Sequence, residues 1–365
     1  MLGKVAKSIP IAALMLAAPA GAKDTALQMV SIDVEGGGGT LFVTPDGQSL
    51  LIDTGNPDQS RITGDHPSSE RIAAAAHELG VKKIDYLIIT HYHGDHIGGI
   101  EGLLKRIPVG TVIDHGPNRE TTASPNPTAP QIDMKNPPPG STAYGYEHYM
   151  QAIAGHHHIV AKPGDAFHIG GMTVTIVAAD AKVIAKPLPG AGEDNPSCAG
   201  MEGMANNGGE ENARSTASVI SYGKARIAAF GDLTWDREKD LFCPIDRIGK
   251  VNVYLATHHG TALSGSPAAV NALAPIVAIV GNSPRKGADA ERMKIIKASP
   301  RIQAVWQLHT TTVAPDANVA ADMIANPVTD QSKDMAFGLR LRIEKDGKVT
   351  VINERNGYNR TYGAN

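Results

Sequence analysis

The chain has 365 residues, with 34 Lys and Arg against 37 Asp and Glu, a formal net charge of −3. That balance excludes a domain holding nucleic acid by charge alone, and an aromatic content of 4% makes base stacking a poor substitute. Two cysteines exclude a disulfide scaffold or a Cys-rich zinc module, whereas 42% apolar residues suffice for a sizeable core.

The first residues carry the three parts of an export signal in order. Lys4 and Lys7 give a positive start, Ile9 to Pro19 an apolar stretch, and Ala20-Gly21-Ala22 a small-residue cleavage site. Residues 1–22 are therefore expected to be a signal peptide, and a mature chain starting near Lys23 to be periplasmic or secreted. No stretch approaches the ~18 apolar residues of a membrane span, so none is expected after signal removal. In an oxidising compartment Cys198 and Cys243 are candidates to pair, or to stay free.

Along the mature chain, Gln28 to Val34, Thr40 to Thr44 and Ser49 to Asp53 are short β-rich runs, the last two joined by the turn residues Pro45-Asp46-Gly47. Ser69 to Leu79 has helical spacing, with Ile72, Ala75, Ala76 and Leu79 on one face and Gly80 as a left-handed cap. Ile84 to Thr90 is apolar at almost every position, as in a strand covered on both faces. A helix at Ile100 to Ile107 and a strand at Thr111 to Asp114 continue the alternation.

Proline-rich residues 117–140 interrupt it, with a helix expected at Tyr144 to Ala154 and a hairpin across Ala166 to Ala178. The His156-His157-His158 run reads as solvated loop. After a second loop, Pro187 to Asn212, a hairpin (Ala217 to Tyr222, Ala225 to Phe230) and strands at Val251 to Thr257 and Ile276 to Val280 follow. A helix near Ala288 to Ala298 and a last hairpin, Gly338 to Glu344 with Lys348 to Asn353, complete the order. The economical reading is one α/β domain, residues 23–365, with two sheets, outer helices and loop insertions at about 117–164 and 187–212.

Chemistry concentrates where apolar strands end. Directly after Ile84 to Thr90 comes His91-Tyr92-His93-Gly94-Asp95-His96, four metal-ligating residues in six. In extended chain His91 and His93 share a side and grip one ion; the turn at Gly94 sends Asp95 and His96 toward a second. Gly231-Asp232 ends another strand, and His258-His259-Gly260 a third. Asp53, ending a fourth, suits the task of fixing a ligand histidine's tautomer. His115 and His309 also follow strands; the first is a candidate substrate contact and the second reads as structural.

Leu51-Ile52-Asp53-Thr54-Gly55, the HYHGDH segment, Gly231-Asp232 and His258-His259-Gly260 together resemble the successive motifs of metallo-β-lactamase-fold hydrolases. In detail they are most similar to ComEC-type competence protein hydrolase domains and phosphorylcholine-esterase-like enzymes, which share an Asn/Ser-bearing strand (here Asn212 to Ser218) and a Thr-His-His-Gly. The resemblance implies an αββα sandwich with two metals at one edge. It implies His91 and His93 on the first metal, Asp95 and His96 on the second, Asp232 bridging, and His259 as a further ligand of the second. His258 is then a substrate contact or proton donor. The family's usual third histidine for the first metal has no counterpart and stays unassigned.

The chemistry expected is hydrolysis. Bound Zn²⁺ brings the pKa of its water toward ~7 and supplies hydroxide at neutral pH. Asp95 or Asp232 is expected to accept the proton and His258 to serve the leaving oxygen. Imidazole-rich ligation favours two zinc ions, with manganese or iron as alternatives. A phosphoester is the expected substrate; a β-lactam or lactone, or a relict site on a non-catalytic exported binding protein, are the alternatives. Strong nucleic-acid binding is not expected, and the sequence leaves the oligomeric state open.

Overall fold

The structure is a computed structural model that describes residues 25–124, 128–199, 201 and 209–363. The signal peptide expected at 1–22 lies outside the described residues. No helix among them is long and apolar enough to cross a membrane.

Among the described residues the first six strands are β1 (Leu27–Ser31), β2 (Thr40–Val43), β3 (Ser49–Ile52), β4 (Ile84–Ile88), β5 (Val109–Asp114) and β6 (His157–Val160). Then come β7 (Ala166–Ile169), β8 (Met172–Ala179), β9 (Lys182–Val183), β10 (Ala217–Tyr222), β11 (Ala225–Ala229), β12 (Val253–Leu255), β13 (Val277–Val280), β14 (Ala304–His309) and β15 (Ile324–Asn326). The chain returns to the first sheet with β16 (Leu339–Ile343), β17 (Val349–Asn353) and β18 (Asn359–Tyr362). The first sheet runs β18-β17-β16-β1-β2-β3-β4-β5-β6; the second runs β15-β14-β13-β12-β11-β10-β8-β7, with β9 on β8.

The helices are α1 (Ser68–Glu78), α2 (Gly94–Ile97), α3 (Ile100–Arg106), α4 (Thr142–Ala152), α5 (Gly209–Asn212), α6 (Trp235–Phe242), α7 (Pro267–Leu273) and α8 (Ala290–Lys297). Three apolar clusters account for the layering. One joins the facing sides of the two sheets, Leu27, Phe42 and Ile52 against Ile176, Ile227 and Trp306. A second holds Leu241, Val270 and Met293 of α6, α7 and α8 on the second sheet. The third holds Ile72, Leu103 and Tyr149 of α1, α3 and α4 on the first. This is a mixed α/β fold layered as an αββα sandwich, the architecture that lets a sheet bury both faces.

In each sheet the strands from near the middle to one edge are parallel: β3, β4, β5 and β6 in one, β11 through β15 in the other. Parallel neighbours end on the same side, so the loops after β3, β4, β11, β12 and β13 come to one rim. The regular strands are shorter than the apolar runs that announce them. β4 stops at Ile88 although Ile89 and Thr90 remain buried, and β12 keeps only Val253 to Leu255 of the run Val251 to Thr257. The surplus apolar residues anchor the ligand-bearing turns.

Other boundaries differ from the pattern for physical reasons. Residues 117–164 are not loop throughout: α4 packs Tyr149 into the core, and β6 pairs parallel with β5. His157 and His158 therefore stand on an edge strand, where His158 Nε2 lies 2.8 Å from Asp114 Oδ2. Asn212 closes α5 instead of starting a strand, which begins at Ala217. Cys198 and Cys243 form a disulfide.

Candidate metal centre

Asp232 organises the rim. Its Oδ1 lies 3.4 Å from His96 Nε2 and 3.5 Å from His259 Nε2; its Oδ2 lies 3.2 Å from His258 Nε2 and 3.9 Å from His91 Nε2. Each carboxylate oxygen thus faces its own pair of imidazoles. Asp95 Oδ2 joins the first pair, 3.3 Å from His96 Nε2 and 3.5 Å from His259 Nε2. On the other side His91 Nε2 and His93 Nδ1 are 3.1 Å apart.

The turns that deliver these groups are exact in backbone terms. Gly231 takes φ +56°, and a Cβ there would meet Thr90 Cβ at 2.7 Å. His258 and His259 take φ 53° and 57°, and Asp53 takes φ 62°, a left-handed conformation rare for non-glycine residues and held here by surrounding hydrogen bonds. His258 N donates to Gly231 O, tying the β12 turn to the β11 turn. Gly38, in the loop from β1 to β2, leaves no room for a Cβ, which would fall 2.5 Å from Asp53 Oδ2 and 2.7 Å from His96 Nδ1.

Second contacts fix the imidazoles. Asp53 Oδ2 lies 2.7 Å from His96 Nδ1, and the same carboxylate accepts from Thr90 N and Thr90 Oγ1. His96 is left with Nε2 toward Asp95 and Asp232. On the far side of His93, Nε2 lies 3.5 Å from Glu120 Oε2, while Glu120 Oε1 accepts from Thr142 Oγ1. His93 Nδ1 then faces His91. Glu211 accepts from Tyr92 N and lies 2.8 Å from His115 Nε2.

His115 is buried against Glu211, so it is a support of the segment and not the substrate contact that its strand-end position suggested. Glu120, Glu211 and Lys286 were not legible as site residues. Glu120 lies in the proline-rich stretch, without periodicity to place it. Lys286 was detectable in principle, since it follows β13, the neighbour of the strand β12 that leads to His259.

Charge is set by burial working against neighbours. Burial raises the Asp232 carboxyl, but His258, His96 and His259 overcome it and hold the group well below the ordinary range. Burial likewise opposes ionisation of Asp95, and Lys286 with His96 prevails, keeping it low. His258 is pushed down to about 4, chiefly by burial. His91 and His259 are lowered, burial leading in both. His96 is raised well above its usual value because Asp232, Asp95 and Asp53 outweigh its burial.

The donor set fits a divalent cation. Asp95, His96, Asp232 and His259 each place a ligand atom within 4.8 Å of the others. Asp232 Oδ1 is buried without a hydrogen-bond partner, and two imidazole Nε2 atoms, on His96 and His259, face each other at 3.3 Å. Mixed imidazole and carboxylate donors of this kind suit zinc, with manganese or iron next. No further histidine from the interval between the first motif and Gly231 joins this group among the described residues. The third histidine left unassigned for the first metal finds no counterpart there.

A second buried group, Asp33, Glu35, His309 and Asp334, brings ligand-type atoms equally close. Here Arg71 already supplies the cation, 2.9 Å from Asp33 Oδ2 and 3.2 Å from Asp334 Oδ2. His309 Nε2 lies 2.8 Å from Asp33 Oδ1, and His309 is raised to about 9, as Asp33, Glu35 and Asp334 outweigh its burial. The group ties the chain ends of the first sheet to β14, the structural role its sequence context suggested.

Residues 35–140 match the family model described as "Metallo-beta-lactamase superfamily". The matched stretch holds Asp53 and the whole HYHGDH segment. A curated relative, the "Beta-lactamase-like protein 2 homolog" of Caenorhabditis elegans, is 30% identical over 79 residues, which are 20% of this chain and 24% of the relative. The alignment thus spans about a quarter of that relative's length.

Among solved structures, a metal-dependent hydrolase of the beta-lactamase superfamily aligns over 77% of this chain and 95% of its own, at 13% identity and TM-score 0.41. A diphosphatase from the PhnP family aligns over 71% and 87%, at 13% identity and TM-score 0.35. A Cronobacter sakazakii metallo-beta-lactamase with a mutated HARLDQ motif aligns over 62% and 75%, at 16% identity and TM-score 0.33. The stretch that is similar to the metallo-beta-lactamase superfamily, residues 35–140, carries Asp53, His91, His93, Asp95 and His96, and the candidate ligands Asp232 and His259 meet it at the rim.

Proposed function

We propose that this chain is an exported, zinc-dependent hydrolase that cleaves a phosphoester. The observation that carries the reading is the division of Asp232, with Oδ1 toward His96 and His259 and Oδ2 toward His91 and His258. In this reading His96, His259, Asp95 and Asp232 hold one ion, and His91, His93 and Asp232 hold the other. Such ions supply water acidified toward neutrality and positive charge beside the attacked group. The motif likeness to ComEC-type and phosphorylcholine-esterase-like enzymes, carried by Thr257-His258-His259-Gly260, supports a phosphoester over a lactam.

The protein's own groups provide the remaining steps. Lys286, whose ammonium pairs with Asp95 and lines the cleft in front of the centre, is the cation available to an anionic substrate oxygen. His258 Nε2 lies 3.2 Å from Asp232 Oδ2 and lines the cleft beside the centre, the place from which a proton can be relayed. We assign it the proton from the attacking water, which it then returns to the leaving alcohol oxygen as the P–O ester bond breaks. Ser264 Oγ, 3.3 Å from its Nδ1, holds the ring for that task.

The test is turnover of bis(4-nitrophenyl) phosphate by zinc-loaded protein. Activity should vanish with a chelator, return with zinc, and be absent in Asp232→Ala. Chelator-insensitive turnover, or none, overturns the reading; rapid opening of a chromogenic β-lactam instead transfers it to the lactam alternative.

A further inference from the structure

The centre opens into a cleft of about 1330 Å³, larger than the ~300–1000 Å³ of ordinary small-molecule sites. A phosphate group at His93, Asp95, Asp232, His258 and Lys286 occupies only a fraction of it. The remaining walls come from α2 and α3, from the loop that includes Ile62, from Leu263 just beyond the His258-His259-Gly260 turn, and from α4.

Those walls mix exposed polar and charged side chains, Gln59, Glu101, Lys105 and Arg106, with apolar and aromatic ones. Ile62 is 44% exposed and Leu263 37%, both among the large apolar side chains the fold leaves uncovered. Single exposed apolar residues are commonplace on protein surfaces. Ile62 and Leu263 differ in lining one concavity that is contiguous with a candidate reaction centre. On α4, Tyr144 and His148 stack with ring centroids 4.1 Å apart, and His148 Nδ1 is held 2.9 Å from Tyr144 O. The pair forms a fixed aromatic platform in the same cleft.

Charge in this part of the cleft cancels. Arg106 pairs with Asp58 at 3.5 Å, and the formal charges of Lys105 and Glu101, both on α3, sum to zero. Nothing there selects a second anion, and a neutral body is favoured.

We propose that the cleft binds the non-reacting group of the substrate, and that this group is an uncharged aromatic or aliphatic ester substituent seated on Tyr144, His148, Ile62 and Leu263. The proposal rests on the phosphoester reading and names its substrate class: a phosphodiester with one bulky apolar ester group. The apolar side chains act on binding, not on the bond being broken.

The experiment compares 4-nitrophenyl phosphodiesters whose second ester is methyl, phenyl or octyl. kcat/KM should rise from methyl to phenyl and octyl by roughly 10-fold or more, mainly through KM. In Tyr144→Ala and in Ile62→Asp/Leu263→Asp that ratio should collapse toward one, while Val313→Ser, at an exposed apolar residue that is not among the lining side chains, should keep it. A flat series in the native enzyme, or a ratio unmoved by the cleft variants, overturns the proposal. If no phosphodiester is cleaved, the phosphoester reading fails separately, and calorimetric binding of phenylphosphonate against methylphosphonate to zinc-loaded protein decides the cleft. Tighter phenylphosphonate binding, lost in Tyr144→Ala, upholds the apolar subsite; equal affinities sink it.

Discussion

At the scale of single residues, the account turns on carboxylates that aim imidazoles. Asp53 lies 2.7 Å from His96 Nδ1, and Glu120 lies 3.5 Å from His93 Nε2, each leaving the opposite nitrogen toward the centre. Removing such a partner commonly lowers metal affinity by ~10–100-fold. Asp53→Asn and Glu120→Gln should each weaken zinc binding by about that factor, read by competition with a chromophoric chelator. Unchanged affinity in both would show that the two carboxylates support the backbone alone. Lys286→Met should raise KM for an anionic phosphodiester by roughly 10-fold, about one lost charge-assisted contact, and kcat should fall less. Equal loss in both parameters would place Lys286 outside substrate binding.

His309 carries a stability prediction of defined sign. Its folded value of about 9 lies above its ordinary 6.5, so the folded state binds the proton more tightly than the unfolded chain. The stabilisation is therefore complete below about 6.5 and is lost as pH rises through about 9. Asp334, raised to about 7 by burial and by Asp33, acts in the same direction at lower pH. The thermal midpoint should fall between pH 7 and about 9.5, and His309→Gln should start lower and fall less steeply. Parallel profiles for the two proteins would refute the assignment.

At the scale of elements, what the sequence discloses depends on whether a residue's role is local. The H-x-H-x-D-H spacing, the turn Pro45-Asp46-Gly47 and the apolar runs before Asp53, His91, Asp232 and His258 are local signals, and each lies where the fold delivers a strand to the rim. α6 and α7 escaped the pattern. The first begins Trp-Asp-Arg-Glu-Lys-Asp and its mostly polar face hides the buried Leu241 and Phe242. Glu120 and Lys286 gain their meaning only from partners far along the chain, His93 and Asp95, and no spacing rule encodes those pairings.

The Cys198–Cys243 bridge belongs to this scale as well, closing a loop with a sequence separation of 45. Chain-entropy arguments assign such a loop about 4 kcal/mol. Reduction under native conditions should lower the unfolding midpoint, and Cys198→Ser/Cys243→Ser should reproduce the shift. A midpoint insensitive to reductant would show that the rest of the fold already restrains residues 198–243.

At the scale of the molecule, two sheets supply one rim: Asp53 and the HYHGDH segment come from the first, Asp232 and His258-His259 from the second. An ion gripping His96 with Asp232 therefore also joins the sheets, and binding that favours the folded state raises its stability by mass action. The most direct measurement of the central claim is a titration of metal-stripped protein with zinc, followed by calorimetry and by mass spectrometry under native conditions. The account predicts saturation at two ions per chain, with Asp232→Ala losing tight binding at both positions. Failure to bind zinc, or stoichiometric binding that survives Asp232→Ala, would contradict it.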